Sequence, residues 1–158
     1  MRLLVVLGSG GHTAQMIRLV GMLPEGFEYI YMIGRDDVLS ETKITKQGEI
    51  HKVHRARRHE DGFFMSAVKV IRLFFESFRL LLKLDPDAVV SAGPGTAVPV
   101  SILARLMGKK VIYIEDWSRV YSKSGTGRIL YRFANVTFVQ WPEMKKVYSR
   151  AVYAGRLS

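Results

Sequence analysis

Residues 3–13 read LLVVLGSGGHT, and this stretch decides the fold. The apolar run Leu3–Leu7 predicts a buried strand, and the helical pattern over Gly11–Leu23, which Pro24 stops, predicts a helix directly after it. The joining loop, Gly8–Thr13, is rich in glycine, so its backbone can approach a ligand, and the helix N-terminus offers free N–H groups to an anion. We interpret the loop as an anion-binding site, with a plain strand-to-helix turn as the alternative.

Two known glycine motifs are excluded by single positions in this loop. Thr13 stands where the dinucleotide fingerprint needs its third glycine. The Gly-Lys-Ser/Thr ending of the Walker loop is missing as well. The loop therefore predicts an anion site of another kind.

Strand and helix patterns alternate along the rest of the chain. Further strands are predicted at Phe27–Ile33, Glu49–His54, Ala88–Ser91, Lys110–Ile114, Val136–Val139 and Val152–Tyr153. Helices are predicted at Gly62–Leu84 (with Asp61 as N-cap), Thr96–Met107, Gly127–Ala134 and Pro142–Tyr148. Such alternation is typical of βαβ units in a parallel sheet covered on both faces. The predicted fold class is α/β, a Rossmann-like doubly wound parallel sheet that occupies residues 1–158 as one domain.

The composition narrows the classes of function. The chain has 158 residues, 48% of them hydrophobic, and no cysteine, which excludes disulfides, thiolate metal sites and cysteine nucleophiles. An excess of 24 Lys and Arg over 14 Asp and Glu, a formal charge of +10, favours phosphorylated ligands, an anionic membrane or nucleic acid as partners. No apolar run is long enough to span a membrane, so we expect a soluble or peripheral protein.

The residues that follow the strands are the candidates for a site, because ligands of a doubly wound sheet bind outside the carboxyl ends of its strands. They are the Gly8–Thr13 loop, Gly34–Asp36, Arg55, Arg57, Arg58, the turn Gly93–Thr96, the run Glu115–Arg119, and Gln140–Pro142. The opposite rim holds ordinary turns. Two glycine turns after neighbouring strands can clamp a diphosphate from both sides. The sequence therefore predicts a diphosphate-binding site at this rim.

His12 and Glu115 are the candidate catalytic residues at this rim. His12 lies at the mouth of the first loop, where it suits a general base, a helix cap or a phosphate hydrogen bond equally well. Glu115 ends an apolar strand, where it can hold a sugar hydroxyl or pair with Arg119. As a lone feature, a salt-bridged or solvated carboxylate is favoured there.

The helix predicted at Gly62–Leu84 carries more apolar surface than one sheet contact requires. One stripe consists of Phe63, Ala67, Val70, Phe74 and Leu81, and a parallel stripe of Phe64, Val68, Ile71, Phe75, Phe78 and Leu82. The opposite face consists of Lys69, Arg72, Glu76, Arg79 and Lys83. Packing on the sheet accounts for part of this pattern. A basic, aromatic-rich helix near Arg55, Arg57 and Arg58 also suits an anionic membrane surface.

Several motifs occur in an order that resembles one known family. They are GSGGHT at 8–13, GPGT at 93–96, SRV at 118–120, YSKSG at 121–125, VQWPE at 139–143 and YAGRL at 153–157. Over nearly its whole length the chain resembles the acceptor-side subunit, number fourteen, of the two-part UDP-N-acetylglucosamine transferase of asparagine-linked glycosylation. Related subunits serve bacterial exopolysaccharide and capsule synthesis. The last two motifs make the resemblance specific.

The resemblance implies the N-terminal half of a GT-B glycosyltransferase, with a separate donor-binding partner chain that holds the nucleotide sugar. The implied reaction transfers N-acetylglucosamine from UDP-N-acetylglucosamine to a polyprenyl (dolichyl)-diphosphate-linked sugar with inversion, and it needs neither a cofactor nor a metal. The resemblance implicates Gly8, Gly10, Gly11, His12, Thr13, Gly93, Gly95 and Thr96, and Glu115 matches its acidic position after the fifth strand. We add Ser9 and Arg119 as candidate acceptor-binding residues.

One departure from the family concerns membrane attachment. Eukaryotic members begin with a membrane-spanning helix, whereas this chain starts at its first strand. We therefore expect a prokaryotic member that binds peripherally at the cytoplasmic face of the membrane. Two other hypotheses stay open, a non-catalytic scaffold for a complete transferase and a nucleic-acid-binding protein. The second lacks a recognised motif and its charge is dispersed, so we expect no nucleic acid partner.

Overall fold

The computed structural model describes residues 1–55 and 63–157. The strands are β1 Arg2–Val6, β2 Glu28–Gly34, β3 Gly48–Val53, β4 Ala88–Ser91, β5 Lys110–Ile114, β6 Val136–Val139 and β7 Val152–Tyr153. The helices are α1 Gly11–Met22, α2 Val38–Glu41, α3 Phe63–Leu84, α4 Ala97–Leu106 and α5 Gly125–Phe133, and a 3₁₀ helix spans Pro142–Lys146. The predicted strands and long helices are confirmed, with ends that differ by one or two residues.

The described strands form one parallel sheet in the order β3-β2-β1-β4-β5-β6-β7. The chain fills one half of the sheet outward from β1 to β3 and then returns to place β4 beside β1, with Leu3 opposite Ala88 and Val6 opposite Ser91. The order of the strands therefore reverses between β1 and β4, and a crevice opens outside their carboxyl ends. The predicted doubly wound α/β class is confirmed.

Helices pack on both faces of the sheet. On one face α3, α4 and α5 cover a core that includes Leu4, Val6, Leu73, Val100 and Leu130. On the other face α1 packs on a core formed by Leu3, Val5, Leu7, Met16 and Val20. Because side chains alternate along a strand, β1 contributes to both cores. The continuous apolar run of this strand follows from its burial on both faces.

The structure differs from the predicted elements in two places. The stretch between β2 and β3, where the sequence predicts no helix, contains α2, which Asp37 caps by accepting a hydrogen bond from Ser40 N at 3.0 Å. The helix predicted at Pro142–Tyr148 is a shorter 3₁₀ helix, because Val147 N donates to Met144 O, three residues back.

A few predictions fall on residues outside the described part of the chain. These are the Asp61 N-cap, the Gly62 start of the long helix, and the arginines Arg57 and Arg58. Within the described part, no helix is both long enough and apolar enough to cross a membrane.

Candidate functional site

A polar cavity of about 270 Å³ lies at the carboxyl ends of β1 and β4, where the strand order reverses. Its lining residues are Leu7, Gly8, Ser9, His12, Gly34, Asp37, Arg55, Pro94, Gly95 and Thr96. The two predicted glycine turns thus meet in one cavity, and α1 and α4 begin beside it. Free N–H groups at helix starts attract anions, so the cavity is suited to phosphate oxygens.

Close contact between the two turns explains the glycine at position 8. A side chain there would place its Cβ 2.5 Å from Cβ of Pro94, so only glycine lets the turns touch. Thr13 does not line the cavity. Its buried hydroxyl donates to Gly8 O and lies 2.6 Å from Ser40 Oγ, so Thr13 holds the first turn in place from behind.

His12 lies on the wall of the cavity with about a third of its side chain exposed. Its Nδ1 is 2.9 Å from Ala92 O and 3.2 Å from Oδ2 of Asp116. Asp116 in turn accepts hydrogen bonds from Gln15 Nε2 at 3.1 Å and Ser118 N at 2.8 Å. Burial raises the pKa of Asp116, but these hydrogen bonds and the nearby His12 outweigh it. The net effect lowers the pKa below its ordinary value, so the carboxyl stays ionised.

Arg55 supplies a cation to the cavity. Its Nε lies 2.7 Å from Oδ1 of Asp36, and its Nη2 lies 3.9 Å from Oδ2 of Asp37. About a third of the side chain is exposed, so donors remain for a ligand. Arg55 follows β3, and the sequence predicts it at this rim but links it to an anionic membrane surface rather than to a bound ligand.

Glu115 is not part of the cavity. Its side chain is 1% exposed and accepts hydrogen bonds from Tyr113 Oη at 2.8 Å, Asp116 N at 3.0 Å, Ser124 N at 3.2 Å and Tyr148 Oη. Burial foremost, together with the charge of Glu115, raises the pKa of both tyrosines. The structure thus places Glu115 at the centre of a buried network that joins the 116–124 loop to the chain near Tyr148.

Four other predicted residues do not line the cavity. Gly10 and Gly93 have φ values of 65° and 89°, so both are needed for the shape of their turns. Gly11 packs near Trp117, because a Cβ there would lie 3.5 Å from the indole Nε1. Arg119 is exposed in the 116–124 loop. Gly8, Ser9, His12, Gly95 and Thr96 are the predicted residues that the structure brings together.

Comparison with known families and sequences decides which family this is. Residues 3–157 match the family model described as "Oligosaccharide biosynthesis protein Alg14 like". The chain belongs to the Alg14 family. It is 36% identical to the mouse UDP-N-acetylglucosamine transferase subunit ALG14, over 99% of this chain and 83% of the mouse protein. It is 33% identical to the Schizosaccharomyces pombe subunit, over 97% and 81% of the two chains.

Solved structures share the fold of this Alg14 family member. MurG of Acinetobacter baumannii superposes with a TM-score of 0.73 at 20% identity, over 90% of this chain and 42% of that chain. UDP-N-acetylglucosamine 2-epimerase from Neisseria meningitidis, bound to UDP-N-acetylglucosamine, superposes with a TM-score of 0.70 at 14% identity, over 99% and 46%. The chain thus spans less than half the length of these proteins, as predicted for one half of a GT-B fold.

Proposed function

We propose that this Alg14 family protein is the acceptor-side subunit of a heteromeric transferase. The complex adds N-acetylglucosamine from UDP-N-acetylglucosamine to a sugar linked to a polyprenyl diphosphate, at the cytoplasmic face of a membrane. The observation that carries the proposal is the cavity between β1 and β4, in which two glycine turns, a histidine and an arginine converge. The names of the mouse and S. pombe relatives supply the donor.

The chemistry of the cavity fits a diphosphate next to a reacting hydroxyl. The starts of α1 and α4 and the guanidinium of Arg55 attract the phosphate oxygens. His12, on the same wall, is placed to take the proton of the acceptor hydroxyl as the glycosidic bond forms. The sugar donor then needs a second protein chain to bind it next to this cavity. The reason is that this chain covers less than half the length of the single-chain enzymes that share its fold.

An apolar groove of about 360 Å³ offers a docking surface for the donor-binding partner. It lies on the sheet face that carries α1, between the end of that helix and residues 154–157. Met22, Phe27, Ile112 and Phe138 are among its lining residues. On this face α1 is the one long helix of the described chain, whereas α3, α4 and α5 cover the other. An apolar segment of the partner is the occupant that this groove suits.

The solvent side of α3 supports peripheral binding to an anionic membrane. Apolar side chains are exposed along the described part of the helix at Met65, Val68, Ile71, Phe75, Phe78 and Leu82. Of these, Phe75 is 63% and Phe78 is 43% exposed. Arg72, Arg79 and Lys83 form an exposed basic strip next to this apolar stripe. This is the surface of a helix that lies in a bilayer interface with its cations among anionic headgroups.

Reconstitution tests the proposed function. The protein is mixed with a candidate donor-binding subunit, UDP-N-acetylglucosamine and a short-chain polyprenyl-diphosphate sugar, and the product is analysed by mass spectrometry. We expect a lipid-linked disaccharide that needs both chains. Product with only an exopolysaccharide-type acceptor would assign the protein to that pathway. Failure to form product with any sugar nucleotide contradicts the enzymatic function.

Replacing Arg55 with alanine is expected to raise the acceptor KM about 10- to 100-fold, since a hydrogen bond to a charged group contributes about 1.5–3 kcal/mol. Arg55→Lys should recover part of the loss, because lysine keeps the charge but not the paired donors. Steady-state kinetics with varied acceptor measure both effects. An unchanged KM in Arg55→Ala would place the diphosphate elsewhere.

Replacing Phe75 and Phe78 with serine is expected to weaken binding to anionic phosphatidylglycerol vesicles at least tenfold. Burial of one phenylalanine side chain contributes about 1.5–3 kcal/mol, so two losses exceed that factor. Vesicle co-sedimentation measures the change. The matched control is Val152→Ser with Tyr153→Ser, two half-exposed apolar residues of β7 at the far edge of the sheet. Equal binding of both double variants contradicts a membrane contact through α3.

A further inference from the structure

One peptide group at the end of β3 is hydrogen-bonded from both sides. Its carbonyl, Val53 O, accepts from Arg35 N at 2.9 Å, and its N–H, His54 N, donates to Oε2 of Glu76 on α3 at 2.8 Å. The next residue along the chain is Arg55, the cation of the cavity. We infer that Glu76 is a positioning residue for the acceptor, because it fixes the backbone at His54 and so directs Arg55 into the cavity. This inference deepens the proposed function and rests on it for the identity of the ligand.

The hydrogen bond from His54 N uses a donor that points away from the rest of the sheet. Among the described strands β3 lies at the edge of the sheet, with β2 as its neighbour. The C=O and N–H of a trans peptide group point in opposite directions, so the N–H of His54 points away from β2. A second contact joins the same two residues, since Nδ1 of His54 lies 2.6 Å from Oε1 of Glu76. The carboxylate therefore holds both the backbone and the ring of His54.

Glu76 is ionised, which makes it a strong acceptor. Its side chain is 22% exposed. Burial raises the pKa of Glu76, but the hydrogen bonds and the charge of His54, and the hydrogen bond from Arg72 at 3.4 Å, outweigh burial and lower the pKa below its ordinary value. A hydrogen bond to an ionised carboxylate is stronger than one between neutral groups, so the end of β3 is firmly attached to α3.

The end of β2 guides the side chain of Arg55 once its backbone is fixed. A Cβ at Gly34 would lie 3.1 Å from Nε and 3.3 Å from Cγ of Arg55, so the side chain passes directly over this glycine. Oδ1 of Asp36 then lies 2.7 Å from Nε. This path is narrow, and it ends in the cavity that Gly34 and Arg55 both line. A shift of the backbone at His54 would move the guanidinium away from the phosphate oxygens, and small displacements of a binding group are costly.

The first test is nitrogen-15 NMR of the arginine side chains in the isolated chain. The Nε–H signal of Arg55 is identified by its absence in Arg55→Ala. In Glu76→Gln we expect this signal to shift and its hydrogen to exchange faster with water, because the guanidinium is held less firmly against Asp36. The matched control is Asp85→Asn, since Asp85 directly follows α3 and pairs with Lys109 at the opposite rim of the sheet. An Arg55 signal that moves in neither Glu76→Gln nor Glu76→Ala overturns the inference.

The second test is the kinetics of the reconstituted complex. Glu76→Ala should raise the acceptor KM about 3- to 30-fold and leave kcat unchanged, as expected for a residue that acts through a neighbour in the same network. Glu76→Gln should recover part of the loss, because its amide oxygen can still accept from His54 N. In the Arg55→Ala background, Glu76→Ala should have no further effect on the acceptor KM.

A Glu76 that serves stability alone would give a different result in this cycle. The effects of Glu76→Ala and Arg55→Ala on the acceptor KM would then be independent and would multiply, which contradicts the inference. Urea denaturation identifies a variant that fails to fold, and Glu76→Gln decides the question if Glu76→Ala does so. A wild-type complex without activity would defeat the proposed function, whereas the NMR comparison would still decide whether Glu76 holds Arg55.

Discussion

Replacing His12 with alanine is expected to lower the turnover of the reconstituted transferase by about 10²–10⁴-fold. The change removes the ring that, in the proposed function, takes the proton of the acceptor hydroxyl. The acceptor KM should change little, because the glycine turns and Arg55, which bind the diphosphate in the proposed function, are left unchanged. Initial rates measured over a range of acceptor concentrations separate the effects on kcat and KM.

The control for this variant is His51→Ala, which removes a histidine paired with a carboxylate on β3, away from the cavity. It should retain full turnover. The alternative hypothesis, a non-catalytic scaffold that only anchors a transferase, makes the opposite forecast for His12. If His12→Ala keeps wild-type turnover while the complex still assembles and binds membranes, the scaffold hypothesis replaces the catalytic one.

Most of the fold could be predicted from local sequence patterns. The run Leu3–Leu7 and its counterparts are continuous apolar segments, as strands buried on both faces must be, and Pro24 and Gly108 stop the helices that follow. The short helix α2 was missed because its four residues carry no periodicity. Its start at Asp37 was visible as a capping residue only once Ser40 N was known to bond to it.

The site was predictable to the extent that strand ends define it. His12 and the two glycine turns follow β1 and β4, and these strands are neighbours, so the residues meet. The roles of Glu115 and Asp116 depend on direction instead. Side chains alternate across a sheet, so Glu115 lies with Tyr113 on the α5 side, whereas Asp116 reaches His12 on the α1 side. Which of two adjacent carboxylates faces the site is set by where β5 ends.

Replacing Glu115 with alanine is expected to lower the free energy of unfolding by about 3–5 kcal/mol, as the loss of a buried charged partner usually does. Two tyrosine hydroxyls and two backbone N–H groups donate to this carboxylate, and all would lose their acceptor. Gly127 packs against the same cluster, since a Cβ there would lie 2.7 Å from Tyr113 Oη. Urea denaturation of the isolated chain measures the change.

Glu143→Ala, an exposed glutamate on the 3₁₀ helix, is the matched control and should stay within about 0.5 kcal/mol of wild type. The comparison also separates two roles for Glu115. If Glu115 is structural, its replacement lowers stability first and lowers turnover only because the 116–124 loop is displaced. Stabilising conditions should then restore part of the activity. A variant that keeps wild-type stability but loses turnover would instead assign Glu115 to the reaction and require the cavity to extend beyond His12 in the assembled complex.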